Sequence, residues 1–455
     1  PRDQVMLVTM NDAVQVTQEF TNDSKALLAA LDLLETQVGR HVQYLADHRR
    51  LIRTIQSARL FPQPVGLESA ANFESAILDA ERTAFDVRQL AERKVQKAIA
   101  TCKALTEFTD SLAGMPGRKA VLYVSDGLQT RPADSLAQAW TNKFENWIGN
   151  EQVEDARDDL RDMALLFGSR KYDVSNRVEE MVKHASASGV TFYPIARSSR
   201  LLRGGGGSAE FGGSGTTTGR SATSQDVATL EQFSLESSLL DMAAGTGGVA
   251  FTRTSNLGGL LELMVSDFEN FYSVGYNRLL ADEDFHEIEV KMKDRDLTAR
   301  FLRTYREKDP ISHLQDLTLS ALHYGVVENT LDVRLDPGDA VETGKNRYQV
   351  PITIKIPFQN LLLLPQQDVH VGKLTIVVIA RDERGGTSPF QQIEVPLRIP
   401  NTQILEVLAG VAAYPLKLEM NRGKKTISVG VRDQLGRVDS TLILNLTVGE
   451  DGSQS

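Results

Sequence analysis

The sequence predicts two regions of different fold class, an α/β domain followed by a β-sandwich. Over roughly the first 310 residues, apolar runs typical of strands in a buried parallel sheet alternate with helical patterns. From Pro310 onward, short strands separated by turn residues replace the long helical patterns. A chain of 455 residues is also too long for one ordinary domain. We therefore expect an α/β domain at 1–309, a sandwich at 310–450 and a polar tail at 451–455.

The first elements are a predicted β-hairpin and a helical hairpin. Residues 4–9 and 14–20 form two strands around a turn-forming Asn-Asp pair. Good N-cap residues then begin a long helix, prolines near residue 62 end it, and a second long helix follows. We interpret this helical hairpin, 23–113, as one closed along its own apolar seam. The alternative is an arm that binds a partner.

The segment 118–127, RKAVLYVSDG, is central to the α/β prediction. Its run AVLYV is apolar without alternation, which is the pattern of a strand buried on both faces of a parallel sheet. Asp126 follows the carboxyl end of that strand, where open α/β sheets bind their ligands. Ser125, Asp126 and Gly127 are therefore candidate partner-binding residues, and Asp126 is the candidate metal ligand.

Two segments beyond Asp126 are predicted to lie outside the sheet. The helical insertion 134–170 carries Trp140, Phe144 and Trp147 at helical spacing. Such an aromatic stripe usually anchors an insertion onto the core, and the alternative is a docking face, which makes Trp140 and Trp147 partner-binding candidates. The glycine-rich segment 204–219 lacks a P-loop lysine, so we expect a flexible loop at the same rim as Asp126.

The rest of the α/β domain alternates strands and helices. A buried strand is predicted at 189–197, and a helix that ends at Gly245 passes directly to another strand. A helix from about Leu257, a strand near 271–276, and two alternating strands at 285–293 and 299–306 complete the domain. Beyond it, about seven strands in about 140 residues favour a sandwich.

Composition excludes several classes of function. The net charge of -10 and the pI of 5.4 argue against broad binding to nucleic acids or anionic membranes, because both need a basic surface. The chain has no apolar run long enough to span a membrane, and its N-terminus lacks the pattern of a signal peptide. Cys102 is the only cysteine, so no intrachain disulfide or thiolate metal cluster can form.

The order of YVSDG, GVTFYPIAR and MAAGTGGVAF along the chain resembles the von Willebrand factor A-type domain. The closer resemblance is to a bacterial family of exported, A-domain-related proteins that carry an Ig-like sandwich behind the A domain. It rests on three stretches spread from the start of the chain to near its end: PRDQVMLVTMNDAVQVTQEFT, FENFYSVGYN followed by FHEIEVKMKDRDLTARFLRTY, and KKTISVGVRDQLGRVDSTLILNLTV. The resemblance implies a Rossmann-like A domain, an Ig-like sandwich, and export to the periplasm, cell surface or medium.

The same resemblance suggests one cofactor, Mg²⁺. Many A domains hold this ion through three loops, and Asp126 matches the aspartate of the third loop. The threonine loop has no counterpart here. The first loop, with its Asp-x-Ser-x-Ser pattern, is missing because this chain begins, by comparison, at the second strand. The only matching string, Asp451, Ser453 and Ser455, lies on the predicted tail, and we interpret it as coincidence.

The missing first strand has a structural consequence. In the A-domain sheet it lies between the strands assigned here to 5–9 and 120–125. Without it, two central strands would expose unpaired backbone groups and apolar faces. We therefore expect a preceding segment, or another chain, to complete the sheet.

An enzyme is not supported by the sequence. The 7 histidines are scattered without an HExxH pair, and Ser125 is not part of a GxSxG turn. His41 and His48, two helical turns apart, are interpreted as solvated. The favoured function is a non-enzymatic protein-binding or adhesion module that uses a degenerate metal-ion-dependent site. The alternative is a metal-independent structural subunit of an extracellular or periplasmic assembly, a homo- or hetero-oligomer, and a hydrolase is the weakest candidate.

Overall fold

The computed structural model describes residues 4–10, 14–35, 41–58, 68–132, 134–148, 170–196, 224–252, 257–275 and 284–449. It contains both helices and sheets, as the sequence predicts. The chain divides into two compact units. The first comprises Pro1–Glu107, Ala120–Val274 and Glu287–Tyr305, and the second comprises Phe108–Lys119, Gly275–His286 and Arg306–Ser455. The glycine-rich segment 204–219, most of the insertion 134–170 and the tail 451–455 lie outside the described residues.

The elements follow in chain order. The helices are α1 Ser24–Glu35, α2 His41–Ser57, α3 Glu68–Leu112, α4 Asp134–Ile148, α5 Ser175–Ala187, α6 Ser224–Thr246, α7 Leu257–Glu269, α8 Pro310–Tyr324 and α9 Ile404–Leu408. The strands are β1 Val5–Met10, β2 Val14–Thr21, β3 Lys119–Ser125, β4 Val190–Ala196, β5 Phe285–Glu287, β6 Thr304–Arg306, β7 Arg334–Pro337, β8 Val341–Gly344, β9 Arg347–Pro357, β10 Leu364–Gln366, β11 Val369–Asp382, β12 Gln391–Pro400, β13 Val411–Asn421, β14 Gly423–Asp433 and β15 Val438–Val448.

The long helices share one apolar core. The 45 residues of α3 make it about 67 Å long at 1.5 Å per residue. Small side chains at successive turns of α3 let α2 and α4 approach closely, so the seam expected between α2 and α3 also takes in α4. The buried members of this cluster are Leu51, Ile52, Ile55, Ala76, Ala80, Ala84, Val87, Leu90, Leu136, Trp140 and Phe144.

The described strands β1 to β4 form two small sheets. β1 and β2 pair antiparallel, and α1 packs on this hairpin. β3 pairs with β4. A parallel bridge then joins β4 to Phe251, whose N–H donates to Pro194 O at 2.8 Å and whose carbonyl accepts from Ala196 N at 2.9 Å. β4 is buried, as predicted, and α5 and α6 pack on it.

β3 differs from its prediction. Leu122 and Val124 are 40% and 61% exposed, so burial on both faces is wrong for this strand. Exposed and half-buried residues alternate from Leu122 onward, because the described residues cover the Tyr123 face, where Phe192 packs, more than the face of Leu122 and Val124. The apolar run does form a strand, as predicted, but the side chains on one face of that strand are exposed to solvent.

Three further predictions need correction. α6 ends at Thr246 and not at Gly245. Gly247 follows the helix with φ +75°, in the left-handed conformation. A Cβ on Gly247 would also lie 2.7 Å from the backbone of Phe301. Residues 271–275 are exposed and have no regular secondary structure. The strands expected at 285–293 and 299–306 are confined to β5 and β6.

The second unit contains a β-sandwich. One sheet has the order β10-β11-β14-β15 with β12 also on β11, and the other has β13-β9-β7 with β8 also on β9. Alternate residues of β9, such as Ile352 and Ile354, meet Ile376, Ile427 and Val429 of the first sheet in the core. The alternation along β9 therefore follows from one buried and one half-buried face.

α8 was not predicted, and it covers the outer face of β14. Asp309 caps it by accepting from Ile311 N at 2.6 Å and Ser312 N at 3.0 Å, and Gly325 ends it at φ +71°. The helix lies so close to β14 that a Cβ on Gly430 would lie 2.2 Å from Thr318 Oγ1. The sandwich therefore needs a glycine at this position.

Replacing Gly430 by alanine is expected to destabilise the sandwich by about 1–3 kcal/mol, because α8 must move or Thr318 must leave its rotamer. Faster hydrogen exchange of β14 amides and a lower denaturation midpoint would show this. Gly344→Ala is the matched control, since no atom lies within 4 Å of the added methyl. Equal stabilities for the two variants would contradict the close packing of α8.

Cys102 provides a reporter of native packing. Its side chain on α3 is 3% exposed, and burial raises the pKa of its thiol to about 11, against an opposing effect of Arg177. At pH 8 only about one thousandth of the thiol is then ionised. We expect the native protein to resist a disulfide reagent at this pH and the denatured protein to react fully. Rapid reaction of the native protein would show that the packing around Cys102 is open.

Candidate functional site

The turn after β3, residues 125–128, is fixed to α6. Leu128 N donates to Ser238 Oγ at 2.8 Å, and that hydroxyl donates to Leu235 O at 2.8 Å. Gly127 N donates to Ser125 Oγ at 3.2 Å. Gly127 has φ +98°, and a Cβ there would lie 2.2 Å from Leu235 O. The backbone of this turn therefore lies directly against the backbone of α6 at Leu235. This contact holds the rim residues Ser125, Asp126 and Gly127 in place.

A phenol and a carboxylate lie side by side at this rim. Burial raises the pKa of Tyr123, the hydrogen bond with the Ser125 side chain opposes this, and the charge of Asp126 raises it further. The Tyr123 ring meets Phe192 of β4 edge-on, with 6.1 Å between centroids. Tyr123 thus stays protonated well above neutral pH, and Asp126 is half-buried beside it.

Beyond Leu128 the surface carries mixed charge. Arg131 Nε donates to Asp173 Oδ2 at 3.2 Å, and Asp173 Oδ1 accepts from Ser175 N at 2.9 Å at the start of α5. The hydrogen bonds from Ser175 lower the pKa of Asp173, whereas burial raises the pKa of Asp134. These contacts join the starts of α4 and α5 to the rim.

The described residues do not make up a Mg²⁺ site around Asp126. No three His, Cys, Asp or Glu side chains come together within the described part of the chain. The nearby hydroxyls of Ser125 and Ser238 already accept backbone hydrogen bonds. A hard cation needs several oxygen ligands, so Asp126 alone would not hold Mg²⁺.

The tryptophan candidates lie on α4. Trp140 is fully buried, and its Nε1 donates to Ala80 O at 3.1 Å and to Thr83 Oγ1 at 3.2 Å. It therefore anchors α4 to α3 and offers no docking surface. The side chain of Trp147 lies outside the described residues.

His48 corrects another expectation. Its side chain is 3% exposed and its Nδ1 lies 2.8 Å from Lys94 Nζ, so the solvated interpretation is wrong for this residue. The side chain of His41 lies outside the described residues.

No described helix is both long and apolar enough to cross a bilayer.

A cleft of about 1080 Å³ was not anticipated from the sequence. It lies between α5, α6 and the segment 287–304, with Val178, Asp241 and Arg303 among its lining residues. No sequence signal pointed to it, because its walls come from three distant parts of the chain.

Replacing Gly127 by alanine is expected to destabilise the rim more than the same change at Gly117. Gly117 also has a left-handed φ, +82°, but has no atom within 4 Å of an added Cβ, so only the backbone strain of about 1–2 kcal/mol applies. Gly127→Ala adds a clash with Leu235 O worth about 1–3 kcal/mol more. Denaturation and hydrogen exchange at Leu128 measure the difference, and equal effects would show that α6 does not pack on this turn.

Comparison with known proteins gives no family. No protein family model and no curated protein matches the chain. A solved structure titled "X-ray structure of Northeast Structural Genomics Consortium target SoR45" is 17% identical, and the alignment covers 29% of this chain and 99% of that chain with a TM-score of 0.20. A similarity at this TM-score supports no conclusion about fold or function.

Proposed function

We propose that this chain is a non-enzymatic protein-binding module of the adhesion type. Its binding surface comprises the rim residues Ser125, Asp126 and Gly127 and the exposed face of β3. The observation that carries the proposal is the exposure of Leu122 and Val124 on a strand that pairs, within the described residues, on one side only. An open strand edge with apolar side chains is the kind of surface to which another polypeptide adds.

The rim also suits recognition because it is rigid. Ser238 and Gly127 hold the turn against α6, so its binding groups need little ordering when a partner arrives. Asp126 adds a half-exposed carboxylate at the end of the apolar strand face. A partner with an apolar extended segment and a cationic or hydrogen-bond-donating end would match both features.

We further propose the Rossmann-like A-type fold for the first unit, an Ig-like sandwich in the second, and a location in the periplasm or at the cell surface. The parallel bridge between Ile195 and Phe251, with α5 and α6 packed on β4, supports the α/β arrangement. The resemblance of the sequence motifs supports the rest.

The second candidate is a metal-independent structural subunit of an assembly. The β1–β2 hairpin and α1 leave Val5, Val16, Leu28 and Leu33 exposed, in addition to the open face of β3. A two-stranded hairpin is at best marginally stable alone. In this candidate, another segment or another copy supplies a strand that covers these residues.

Photo-crosslinking from position 124 tests the proposal. With a photoreactive amino acid replacing Val124 in the native host, we expect one discrete protein adduct, because this side chain faces the partner. The matched control is the same replacement at Val327, which is 50% exposed in the second unit. No adduct at position 124, or the same adduct from both positions, would contradict the proposal.

Two further measurements distinguish the two candidate functions. In a rim-binding module, Asp126→Ala lowers the adduct yield by about fivefold, the effect of a contact worth about 1 kcal/mol. Loss in EDTA together with loss in Asp126→Ala would indicate a metal-dependent adhesion site. Indifference to both changes would favour the structural subunit, whose native mass spectrum would then contain the strand donor.

A further inference from the structure

One arm of the segment 287–304 is fixed to the body of the first unit. Thr304 N donates to Ser186 Oγ at 2.9 Å, and the same hydroxyl donates to Thr304 O at 2.9 Å. Arg303 N donates to Gly245 O at 3.3 Å. The backbone of Phe301 also lies against Gly247. This return arm, 298–304, is therefore held by α5 and the end of α6.

The other arm, 288–293, is joined to the return arm at Ile288 and has no further backbone hydrogen bond to it within the described residues. Ile288 N donates to Arg303 O at 2.8 Å, and beyond that bond no backbone hydrogen bond joins the two arms within the described residues. Leu297 N donates to Asp294 O at 3.4 Å in the connecting turn. The sequence predicts two paired strands here, but the N–H and C=O groups of residues 289–293 have no backbone partner among the described residues. We call 287–304 the splayed hairpin.

The cleft between α5, α6 and the splayed hairpin has partly apolar walls and more acidic than basic side chains. Val178 and Val182 of α5 lie at its buried side, and Val290, Met292 and Leu297 of the hairpin are 44%, 43% and 56% exposed. Of the charged side chains that line it, five are acidic and three are basic. Glu179 is paired with Lys183 at 2.6 Å and Glu289 with Lys291 at 3.2 Å. The remaining charged side chains of the lining are Asp241, Glu287 and Asp294 against Arg295 and Arg303. Burial raises the pKa of Asp241, which also lines the cleft.

We propose that the splayed hairpin binds an extended, cationic segment of a partner protein, which pairs as a strand with residues 289–293 of the open arm. Unpaired backbone groups on an extended arm are satisfied by strand addition, and side-chain alternation then places apolar groups of the partner against Val290 and Met292. The excess of carboxylates in the cleft favours cationic side chains on the same segment. This surface uses none of the rim residues, so it adds to the proposed function and does not depend on it.

Hydrogen exchange in the free, full-length protein tests whether the amides of residues 289–293 lack hydrogen-bond partners. Amides of residues 289–293 are expected to exchange almost as fast as unstructured peptide, whereas the amides of Ile288 and Thr304, which donate hydrogen bonds, are protected. Protection of 289–293 in the free protein would mean that the arms close on each other, and it would overturn the proposal.

Peptide binding tests the occupant. The probe is a fluorescent heptapeptide, Lys-Val-Thr-Val-Lys-Val-Thr, titrated against the full-length chain and followed by anisotropy and by hydrogen exchange at 289–293. We expect saturable binding with a Kd below about 1 mM, and at least about tenfold weaker binding when lysine is replaced by glutamate or the backbone is N-methylated. Absence of saturable binding, or binding unchanged by N-methylation, would overturn strand addition.

Two variants at one position make the test specific. Val290→Pro removes a backbone donor that has no partner among the described residues, so it should abolish peptide binding while Cys102 stays unreactive, which confirms folding. Val290→Thr keeps the donor and the β-branched shape and should bind within about twofold of the parent. Asp126→Ala should leave the peptide Kd unchanged, which separates this site from the rim. Equal binding by Val290→Pro and Val290→Thr would overturn the proposal.

Discussion

Strand pairs run over long, regular stretches in one part of this protein and are short or absent in another, and the rest of the structure depends on this contrast. In the sandwich, β13 pairs with β9, and β14 with β15, along their whole lengths. In the first unit, β3 pairs on one side and residues 289–293 pair with nothing described. Because unpaired backbone groups and apolar side chains occur together at both places, polypeptide binding is the function that the geometry favours.

The open surfaces are held by elements that cannot easily move. Ser238 and Gly127 fix the rim to α6, and Ser186 fixes the return arm of the splayed hairpin to α5. The cluster around Trp140 joins α2, α3 and α4 through a buried aromatic pair, with 5.1 Å between the centroids of Trp140 and Phe144. A rigid scaffold with open edges lets a partner bind without a large cost in chain ordering.

Buried polar contacts explain why the segment Phe108–Lys119 belongs to the second unit. Ser320 of α8 donates to Ser111 O at 2.7 Å and accepts from Gly114 N at 3.1 Å. Lys308 and Asp316 form an ion pair at 2.6 Å beneath this segment, and burial lowers the pKa of Lys119 nearby. The last turn of α3 and its following loop are thus bound to α8 by side chains that few alternative partners could satisfy.

The features that depend on neighbours in sequence could be predicted from local residue patterns. The turn-separated strands of the sandwich, the strand character of β3 and the seam of α3 were all legible, because strand and helix formation depend largely on residues close in sequence. The cap signals of α8, Asp309 before Pro310 and Gly325 after Tyr324, were also present, although its pattern was obscured by the strands around it. The tertiary structure decided the exposure of Val124, the burial of Trp140 and His48, and the separation of the hairpin arms. These depend on which distant segments meet, and no local period records that.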